Sequence, residues 1–314
     1  MTKRAFLFPG QGSQAPGMGK ALAEASAAAR AVFEEVDEAL GQKLSTLMFE
    51  GPAEELTLTA NAQPAIMANS IATLRVLEAE GGLVLSEAAA FVAGHSLGEY
   101  SALCAAGSLK LAETARLLRV RGDAMQAAVP VGEGAMAALL GLGFEDAVAS
   151  AEEAATADEI CVAANDNADG QVVISGHRAA VERAIEIAKA KGAKRGMLLP
   201  VSAPFHSPLM RPAAETMRDA LAAAGLDAPT VPVVTNVTAA PESDPARLKA
   251  LLVDQVTGTV RWRESILAMV DAGVEEFVEV GAKVVGPMVK RITKDADAVS
   301  VVTMDDIEAL VKRV

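Results

Sequence analysis

A short motif at residues 94–98 limits what this chain can fold into. It reads Gly-His-Ser-Leu-Gly, directly follows an apolar run at 88–93, and leads into a helical pattern at 99–106 that Gly107 closes. A serine on a sharp strand-to-helix turn is typical of a nucleophile elbow, where side chains at the two glycine positions would collide with the neighbouring strand or helix. The sequence therefore predicts an α/β fold with a strained backbone at Ser96 and its hydroxyl exposed at a sheet end.

The turn also predicts a place for negative charge. The new helix begins just after Ser96, so its unpaired N–H groups and positive dipole end face the hydroxyl. An oxyanion would be stabilised there. The pattern alone leaves a second interpretation open, in which these glycines mark an ordinary turn.

Composition excludes several classes of protein. With 314 residues, 51% hydrophobic and 22% charged, the chain can bury a large core and is not disordered. A net charge of −13 argues against a general nucleic-acid binder, because phosphate contacts need clustered Lys and Arg. No apolar run approaches membrane-spanning length and no leader is evident. We therefore expect a cytoplasmic, soluble protein.

The cysteines and the first glycine-rich loop predict no cofactor. Cys104 and Cys161 lack the spacing of metal ligands, so neither a disulfide framework nor a metal site is expected. The loop at 9–14 follows a predicted strand at 4–8, but Met18 stands where a phosphate-binding loop needs lysine. The loop either brings backbone N–H groups close to a ligand or is a plain turn.

Hydrophobic spacing predicts the remaining elements of the main domain. Leu111, Ala115 and Leu118 form part of a stripe on a helix at 110–127, with Arg119 and Arg121 on its opposite shoulders. Either arginine could direct its guanidinium into a cleft. The other predicted elements are helices at 19–40, 62–80, 209–224, 245–255, 262–272 and 283–294, and strands at 231–235 and 277–280.

Residues 131–200 show a different order of predicted strands and helices. Strands are predicted at 135–142, 160–164, 171–175 and 194–199, and helices at 145–156 and 179–191. The resulting order βαββαβ is that of a ferredoxin-like domain. We expect an insert at 131–200 between two parts of the main domain, 1–130 and 201–314.

A serine nucleophile needs a base with a pKa near 7, usually histidine, and the chain has three. His95 adjoins Ser96, but adjacent side chains diverge on such a turn, so a structural role is expected. His177 lies in the insert and reads as a surface residue. His206, in a loop between Pro204 and Pro208, remains as the base by elimination, with a structural loop histidine as the alternative.

No carboxylate is evident to complete a triad. The usual order of α/β-hydrolases places it between the serine and the histidine, but Asp158, Asp166 and Asp169 all fall inside the insert. A serine–histidine pair oriented by a backbone carbonyl is therefore as plausible as a triad.

Taken together, these motifs resemble the malonyl-CoA:acyl carrier protein transacylases of bacterial fatty-acid synthesis. The resemblance covers nearly the whole chain, and its combination of motifs is highly specific. It implies an α/β-hydrolase-like main domain with a parallel sheet and a ferredoxin-like insert. The segments that carry it are 8–14, 51–56, 63–65, 94–102, 121–122, 170–177, 193–195, 200–202 with His206, and 279–281.

Position by position, the resemblance implies a role for six residues. Ser96 would be the nucleophile and His206 its base, oriented by the main-chain carbonyl of Gln255. Backbone N–H groups of Gln11 and Leu97 would form the oxyanion hole. Arg121, rather than Arg119, matches the arginine that pairs with the malonyl carboxylate.

The implied partners are malonyl-CoA and acyl carrier protein, and the implied enzyme is a monomer without cofactor, metal, nucleic acid or membrane partner. Malonyl groups would pass through a serine ester in a ping-pong reaction that supplies malonyl-acyl carrier protein. The alternatives are a serine hydrolase or thioesterase, a transferase of another acyl group, and a catalytically dead scaffold that binds carrier proteins.

Two positions bear on that resemblance. Many relatives have Gly-Pro-Gly after the last Glu-Val, whereas here Gly281 is followed by Ala282 and Lys283. Phe205, before the histidine, resembles the bulky residue with which malonyl-selective acyltransferases disfavour a methyl branch. Phe205 is therefore expected to influence substrate choice.

Overall fold

The computed structural model of the protein describes residues 2–201 and 203–313. Ser202, which belongs to one of the motifs above, lies outside the described residues, as do Met1 and Val314. The strands are β1 (Arg4–Phe8), β2 (Phe91–Gly94), β3 (Gly134–Leu140), β4 (Cys161–Ala168), β5 (Gln171–His177), β6 (Arg195–Leu198), β7 (Val233–Val234), β8 (Pro241–Glu242), β9 (Glu276–Val280) and β10 (Asp297–Val301).

Helices lie between most of these strands. They are α1 (Lys20–Ala25), α2 (Ala27–Leu40), α3 (Leu44–Glu50), α4 (Ala53–Thr57), α5 (Thr59–Ala79), α6 (Leu85–Ala88), α7 (Gly98–Ala105), α8 (Leu111–Ala127), α9 (Phe144–Ala154), α10 (Arg178–Ala190), α11 (Arg211–Ala223), α12 (Pro245–Thr257), α13 (Trp262–Asp271), α14 (Val285–Ile292) and α15 (Met304–Val311).

Within the described residues, the strands form two separate sheets. One has the order β10-β9-β1-β2-β7-β8 and is parallel except for the edge pair β7–β8. The other has the order β4-β5-β3-β6 and is antiparallel throughout. The α/β fold class predicted from the sequence, with a mostly parallel sheet and a second small sheet, is confirmed.

Apolar side chains cover both faces of the parallel sheet. Phe6, Phe8 and Val92 point into a large core shared with α2, α5, α7 and α8, while Ala5 and Leu7 point into a smaller core beneath α13 and α14. The alternation along β1 follows from the period of two in a strand. The antiparallel sheet has its own core, which α9 and α10 cover.

Some sequence predictions about elements were wrong. The helix expected at 19–40 is two helices, because Ser26 adopts extended dihedral angles (φ −124°, ψ 131°) between α1 and α2. The helix expected at 62–80 begins earlier, at Thr59. No element was predicted where β10 and α15 lie; they extend the parallel sheet and cover its edge.

The register of the central strands brings two loops together. Phe8, the last residue of β1, pairs with Gly94, the last residue of β2. Because the strands are parallel, the loop after β1 and the turn at Ser96 emerge side by side. The loops after β7 and β9 leave the same edge of the sheet. Ligand sites in open α/β sheets form at this carboxyl edge.

Two glycines allow the chain to turn between β2 and α7. A Cβ atom at Gly94 would lie 1.9 Å from the carbonyl carbon of Gly98, and one at Gly98 would lie 2.4 Å from the carbonyl oxygen of Phe8. Both distances are far below the van der Waals contact distance of two heavy atoms. The collisions predicted at the two glycine positions are therefore confirmed.

We expect the Gly94→Ala substitution to lower the free energy of unfolding by about 3 kcal/mol or to prevent folding, because the added methyl group must displace backbone rather than a flexible side chain. Gly225→Ala is a suitable control, since its Cβ would meet only a Glu113 side-chain oxygen at 3.6 Å. Urea unfolding of both variants measures the difference. Equal stability of the two variants would contradict this account of the turn.

Candidate active site

Ser96 sits on a strained turn at the carboxyl edge of the parallel sheet. Its φ angle is +54°, in the left-handed region that side chains other than glycine rarely adopt. The Ser96 amide donates to the side-chain oxygen of Asn236 at 2.7 Å, and the Asn236 amide group donates back to the Gly94 carbonyl at 2.7 Å. The strained conformation predicted for Ser96 is confirmed, and Asn236 holds the turn from the loop after β7.

The serine hydroxyl meets a histidine from a distant part of the chain. Ser96 Oγ lies 2.8 Å from His206 Nε2, and His206 Nδ1 lies 2.9 Å from the carbonyl oxygen of Gln255. A carbonyl oxygen only accepts hydrogen bonds, so Nδ1 carries the ring proton and Nε2 is free to accept the proton of Ser96. The geometry is that of a serine nucleophile with an oriented base.

The loop around His206 is rigid and buried. His206 has a φ angle of +55° and is 3% exposed. Ser207 Oγ donates to the carbonyl oxygen of Pro204 at 2.7 Å, which ties the loop across the histidine. Burial, and then the positive charge of Arg121, lower the pKa of His206 to about 3. The imidazole is therefore neutral near pH 7, the state in which it can accept a proton.

Arg121 extends from α8 into the same site. Its guanidinium donates to Gln63 Oε1 at 2.8 Å, to Gln255 Oε1 at 2.9 Å and to Ser96 Oγ at 3.2 Å, and the residue is 1% exposed. Arg119, the other candidate on this helix, is half-buried and donates to Gln42 instead. Helical spacing left open whether Arg119 or Arg121 enters the cleft. In the structure it is Arg121 that faces the serine.

Two backbone N–H groups beside Ser96 have no acceptor among the described residues. In the described part of the chain, neither the Gln11 amide nor the Leu97 amide makes a hydrogen bond, although their neighbours do. The register of β1 and β2 places both amides at the sheet edge next to the serine. Unpaired donors at a helix N-terminus suit a developing negative charge.

A cavity of about 330 Å³ opens onto these groups. Gln11, Ser96, Arg121 and His206 all line it, together with apolar side chains from the antiparallel sheet, from α8 and α14, and from the loops beside them. The apolar lining consists of Met125, Met136, Val173, Leu199, Pro200, Val201, Phe205, Val284, Val285 and Met288. A cavity of this kind accepts a small acyl group and directs a polar end toward Arg121.

Comparison with known proteins identifies the family of this chain. A family model described as the acyl transferase domain matches residues 5–304. The malonyl CoA-acyl carrier protein transacylase of Bacillus subtilis strain 168 is 46% identical over 99% of this chain and 97% of its own length. The chain belongs to the acyl transferase family.

Solved structures of the acyl transferase family show the same fold. The crystal structure of acyl-carrier-protein-S-malonyltransferase from Bartonella henselae matches with a TM-score of 0.96 and 57% identity over 99% of both chains. A malonyl-transacylase, solved in complex with its type II PKS acyl-carrier protein, matches with a TM-score of 0.96 and 38% identity over the full length of both chains.

Within the described residues, the other candidates make no hydrogen bond to the Ser96 hydroxyl. His95 Nε2 is 2.8 Å from Asn167 Oδ1 and its ring packs against Trp262, so the structural role predicted for it is confirmed. His177 is half-buried rather than a plain surface residue, because its Nδ1 accepts from the Ile160 amide at 2.9 Å. Asp158 and Asp169 are exposed.

The third aspartate, Asp166, pairs with an arginine of helix α13 rather than with His206. Asp166, on β4, accepts hydrogen bonds at 3.0 and 3.1 Å from Nε of Arg263, on α13, and forms a salt bridge with the same guanidinium. Among residues 2–201 and 203–313, no three His, Cys, Asp or Glu side chains are grouped as a metal site would require, and no helix combines the length and apolarity needed to cross a bilayer.

The loop after β9, where the sequence departs from many relatives, is firmly held. The Glu279 carboxylate accepts from the amides of Val284, Val285 and Gly286 at 2.7–2.9 Å, which anchors the start of α14. The Gly281 carbonyl oxygen accepts from Asn69 at 2.6 Å. Ala282 and Lys283 therefore lie in a fixed connection that presents Val284 and Val285 to the cavity.

Sequence reasoning missed Gln63, Glu99 and Asn236. Gln63 and Glu99 lie within motifs that carried the resemblance, but nothing in their spacing assigns them a contact. Asn236 directly follows the short strand β7, and a polar residue at the carboxyl end of a parallel strand was the available signal.

We expect the Arg121→Ala substitution to raise the pKa of His206. The charge of Arg121 disfavours a second positive charge on the imidazole, so its removal favours protonation. Reaction of Ser96 with phenylmethylsulfonyl fluoride needs neutral His206. In a plot of this reaction rate against pH, the fall on the acid side should therefore lie well below pH 6.5 in the unaltered protein. In the variant this acid limb should move to higher pH.

Arg119→Ala is the matched control, because Arg119 lies on the same helix but contacts Gln42 rather than the serine. Its acid limb should coincide with that of the unaltered protein. Identical acid limbs in all three proteins would contradict the electrostatic role of Arg121.

Proposed function

We propose that this protein transfers the malonyl group of malonyl-CoA to the phosphopantetheine thiol of acyl carrier protein through a malonyl ester on Ser96. The observation that carries the proposal is a buried guanidinium 3.2 Å from the serine oxygen. A malonyl group ends in a carboxylate only two carbons from its acyl carbonyl carbon, so a nucleophile and a cation this close fit one malonyl group.

The first half-reaction uses the serine–histidine pair. Ser96 Oγ attacks the thioester carbonyl carbon while its proton passes to His206 Nε2, 2.8 Å away. The tetrahedral intermediate collapses with breakage of the carbon–sulfur bond, and His206 returns the proton to the departing CoA sulfur. The products are the malonyl ester of Ser96 and CoA thiol.

The second half-reaction reverses the roles of oxygen and sulfur. The phosphopantetheine thiol gives its proton to His206 Nε2 and attacks the ester carbonyl carbon, and the proton returns to Ser96 Oγ as the carbon–oxygen bond breaks. The unpaired amides of Gln11 and Leu97 would stabilise the oxyanion in both steps. Loss of one such donor raises a barrier by about 3 kcal/mol.

Substrate binding would prepare the base. A malonyl carboxylate on Arg121 offsets the charge that, together with burial, depresses the pKa of His206. The imidazole then becomes a stronger base when a substrate with a carboxylate is present. A guanidinium suits this task because it stays charged when buried and can hold both oxygens of a carboxylate.

We also propose an assignment of the architecture. The parallel sheet and its helices, from 1–130 and 201–314, form an α/β-hydrolase-like domain, and residues 131–200 form a ferredoxin-like insert. The order β3-α9-β4-β5-α10-β6 and the antiparallel pairing support the insert. By the family resemblance, the enzyme works as a cytoplasmic monomer without a resident cofactor, because serine and histidine supply nucleophile and base.

The function is tested by incubation with labelled malonyl-CoA, followed by addition of phosphopantetheinylated acyl carrier protein. We expect a stable label on Ser96 that moves to the carrier protein, since a transferase must hold its acyl group until a thiol arrives. Rapid release of free malonate would instead indicate a hydrolase. A protein whose Ser96 reacts with neither malonyl-CoA nor a sulfonyl fluoride would be a scaffold.

The same assay with Arg121→Ala tests acyl selectivity. Malonyl transfer should fall while the relative rate with acetyl-CoA rises, because acetyl has no carboxylate. An unchanged malonyl preference would reject the role proposed for Arg121.

Phe205 is proposed to disfavour branched substrates. It lines the cavity beside His206 and is 7% exposed, so its ring occupies space next to the acyl group. We expect Phe205→Ala to raise the ratio of methylmalonyl to malonyl transfer by about tenfold, the usual scale for one methyl group in an apolar pocket. An unaltered ratio in competition assays would exclude this role.

A further inference from the structure

A buried carboxylate beside the active site takes no part in the steps above. Glu99 lies in the first turn of α7, three residues after Ser96, and is 0% exposed. Burial is costly for a carboxylate, and it raises the pKa of Glu99 to about 7. No substrate atom can reach it through a fully packed shell, so any effect on the reaction must pass through neighbouring groups.

Its hydrogen bonds lead to the base and the cation. Glu99 Oε2 accepts from the Gln255 side-chain nitrogen at 2.9 Å and from the Asn236 amide at 3.0 Å. Gln255 donates its second N–H to the Ser96 carbonyl oxygen at 2.9 Å, and its side-chain oxygen accepts from Arg121 at 2.9 Å. One amide group therefore joins the carboxylate to the guanidinium.

Glu99 is one of the groups that set the direction in which the Gln255 amide points. The amide nitrogen faces three acceptors, the Ser96 carbonyl oxygen, the Glu99 carboxylate and, at 3.4 Å, Asn236 Oδ1. The amide oxygen faces the donor group of Arg121. A flipped amide would place N–H groups against the guanidinium and an oxygen against the carboxylate, leaving both interactions unfavourable. Without Glu99 the amide loses its carboxylate acceptor, and its orientation rests only on Arg121, the Ser96 carbonyl and the Asn236 side chain. The position of the guanidinium is then less strongly fixed.

We infer that Glu99 is a positioning residue for acyl selectivity: through the Gln255 amide it holds the Arg121 guanidinium where a substrate carboxylate must bind. The inference rests on the proposed function and extends it to a residue that touches neither substrate nor the reacting atoms. It separates two tasks of Gln255, whose main-chain carbonyl orients His206 while its side chain orients Arg121.

The experiment measures kcat/KM for malonyl-CoA and for acetyl-CoA in the unaltered protein, in Glu99→Ala and in Glu99→Gln. We expect Glu99→Ala to lower the malonyl-to-acetyl ratio about tenfold, the scale of a lost hydrogen bond to a charged group. Glu99→Gln should recover most of the ratio, because its side-chain oxygen can still accept from Gln255. An unchanged ratio in Glu99→Ala would overturn the inference.

A second experiment, in the Arg121→Ala protein, tests whether Glu99 acts on selectivity through Arg121. In Arg121→Ala, the further change Glu99→Ala should leave the ratio where it is, because the guanidinium it positions is absent. The same tenfold shift in both backgrounds would show that Glu99 acts by another route. Should Glu99→Ala not fold, Gln255→Ala breaks the same link while its main-chain carbonyl remains, and the same loss of ratio is expected.

A matched control is Glu276→Ala. Glu276 is also a buried carboxylate, 2% exposed, but it pairs with Arg4 and Arg313 at the other end of β9. Its loss should lower stability without changing the malonyl-to-acetyl ratio, and a ratio change of equal size would reduce Glu99 to a general structural role. Failure of the proposed function appears separately, as absence of malonyl transfer by the unaltered protein.

Discussion

The site depends on how closely three pieces of backbone approach one another at the end of β2. Gly94 lies against Gly98, and Gly98 lies against the end of β1, with no room for a side chain at either contact. This packing forces the left-handed backbone at Ser96 and places its neighbouring amides beside the loop after β1. The unpaired donors at Gln11 and Leu97 follow from that arrangement rather than from any side chain.

A second constraint is the burial of charge. Arg121 and Glu99 are both removed from solvent, and the structure compensates by connecting them through amide groups rather than a direct ion pair. A direct pair would neutralise the guanidinium and leave it little to offer a substrate carboxylate. Placing the Gln255 amide between them keeps Arg121 oriented and its charge available to the cavity.

Sequence reasoning located the turn at Ser96, the second small sheet and the loop of His206 because each rests on local chemistry. Glycines around Ser96 and prolines around His206 restrict the backbone directly. The order of predicted strands and helices changes near residue 131 because the chain passes there from one sheet to the other. The choice between Arg119 and Arg121 was settled by the resemblance and by position, since helical spacing puts both near the apolar stripe. Asn236 and Glu99 were missed because their partners lie about 140 residues away along the chain. The position of Asn236 after a strand signals only that it lies near the site, not which groups it contacts. The break at Ser26 was missed because its alanine-rich flanks are strongly helical on both sides.

The most direct measurement of the central claim is a crystal structure of the protein after exposure to malonyl-CoA in the absence of carrier protein. The account predicts a malonyl ester on Ser96 Oγ, with its carbonyl oxygen at the Gln11 and Leu97 amides and its carboxylate on Arg121. Malonyl bound elsewhere, or an ester on Ser96 whose carboxylate points away from Arg121, would contradict it.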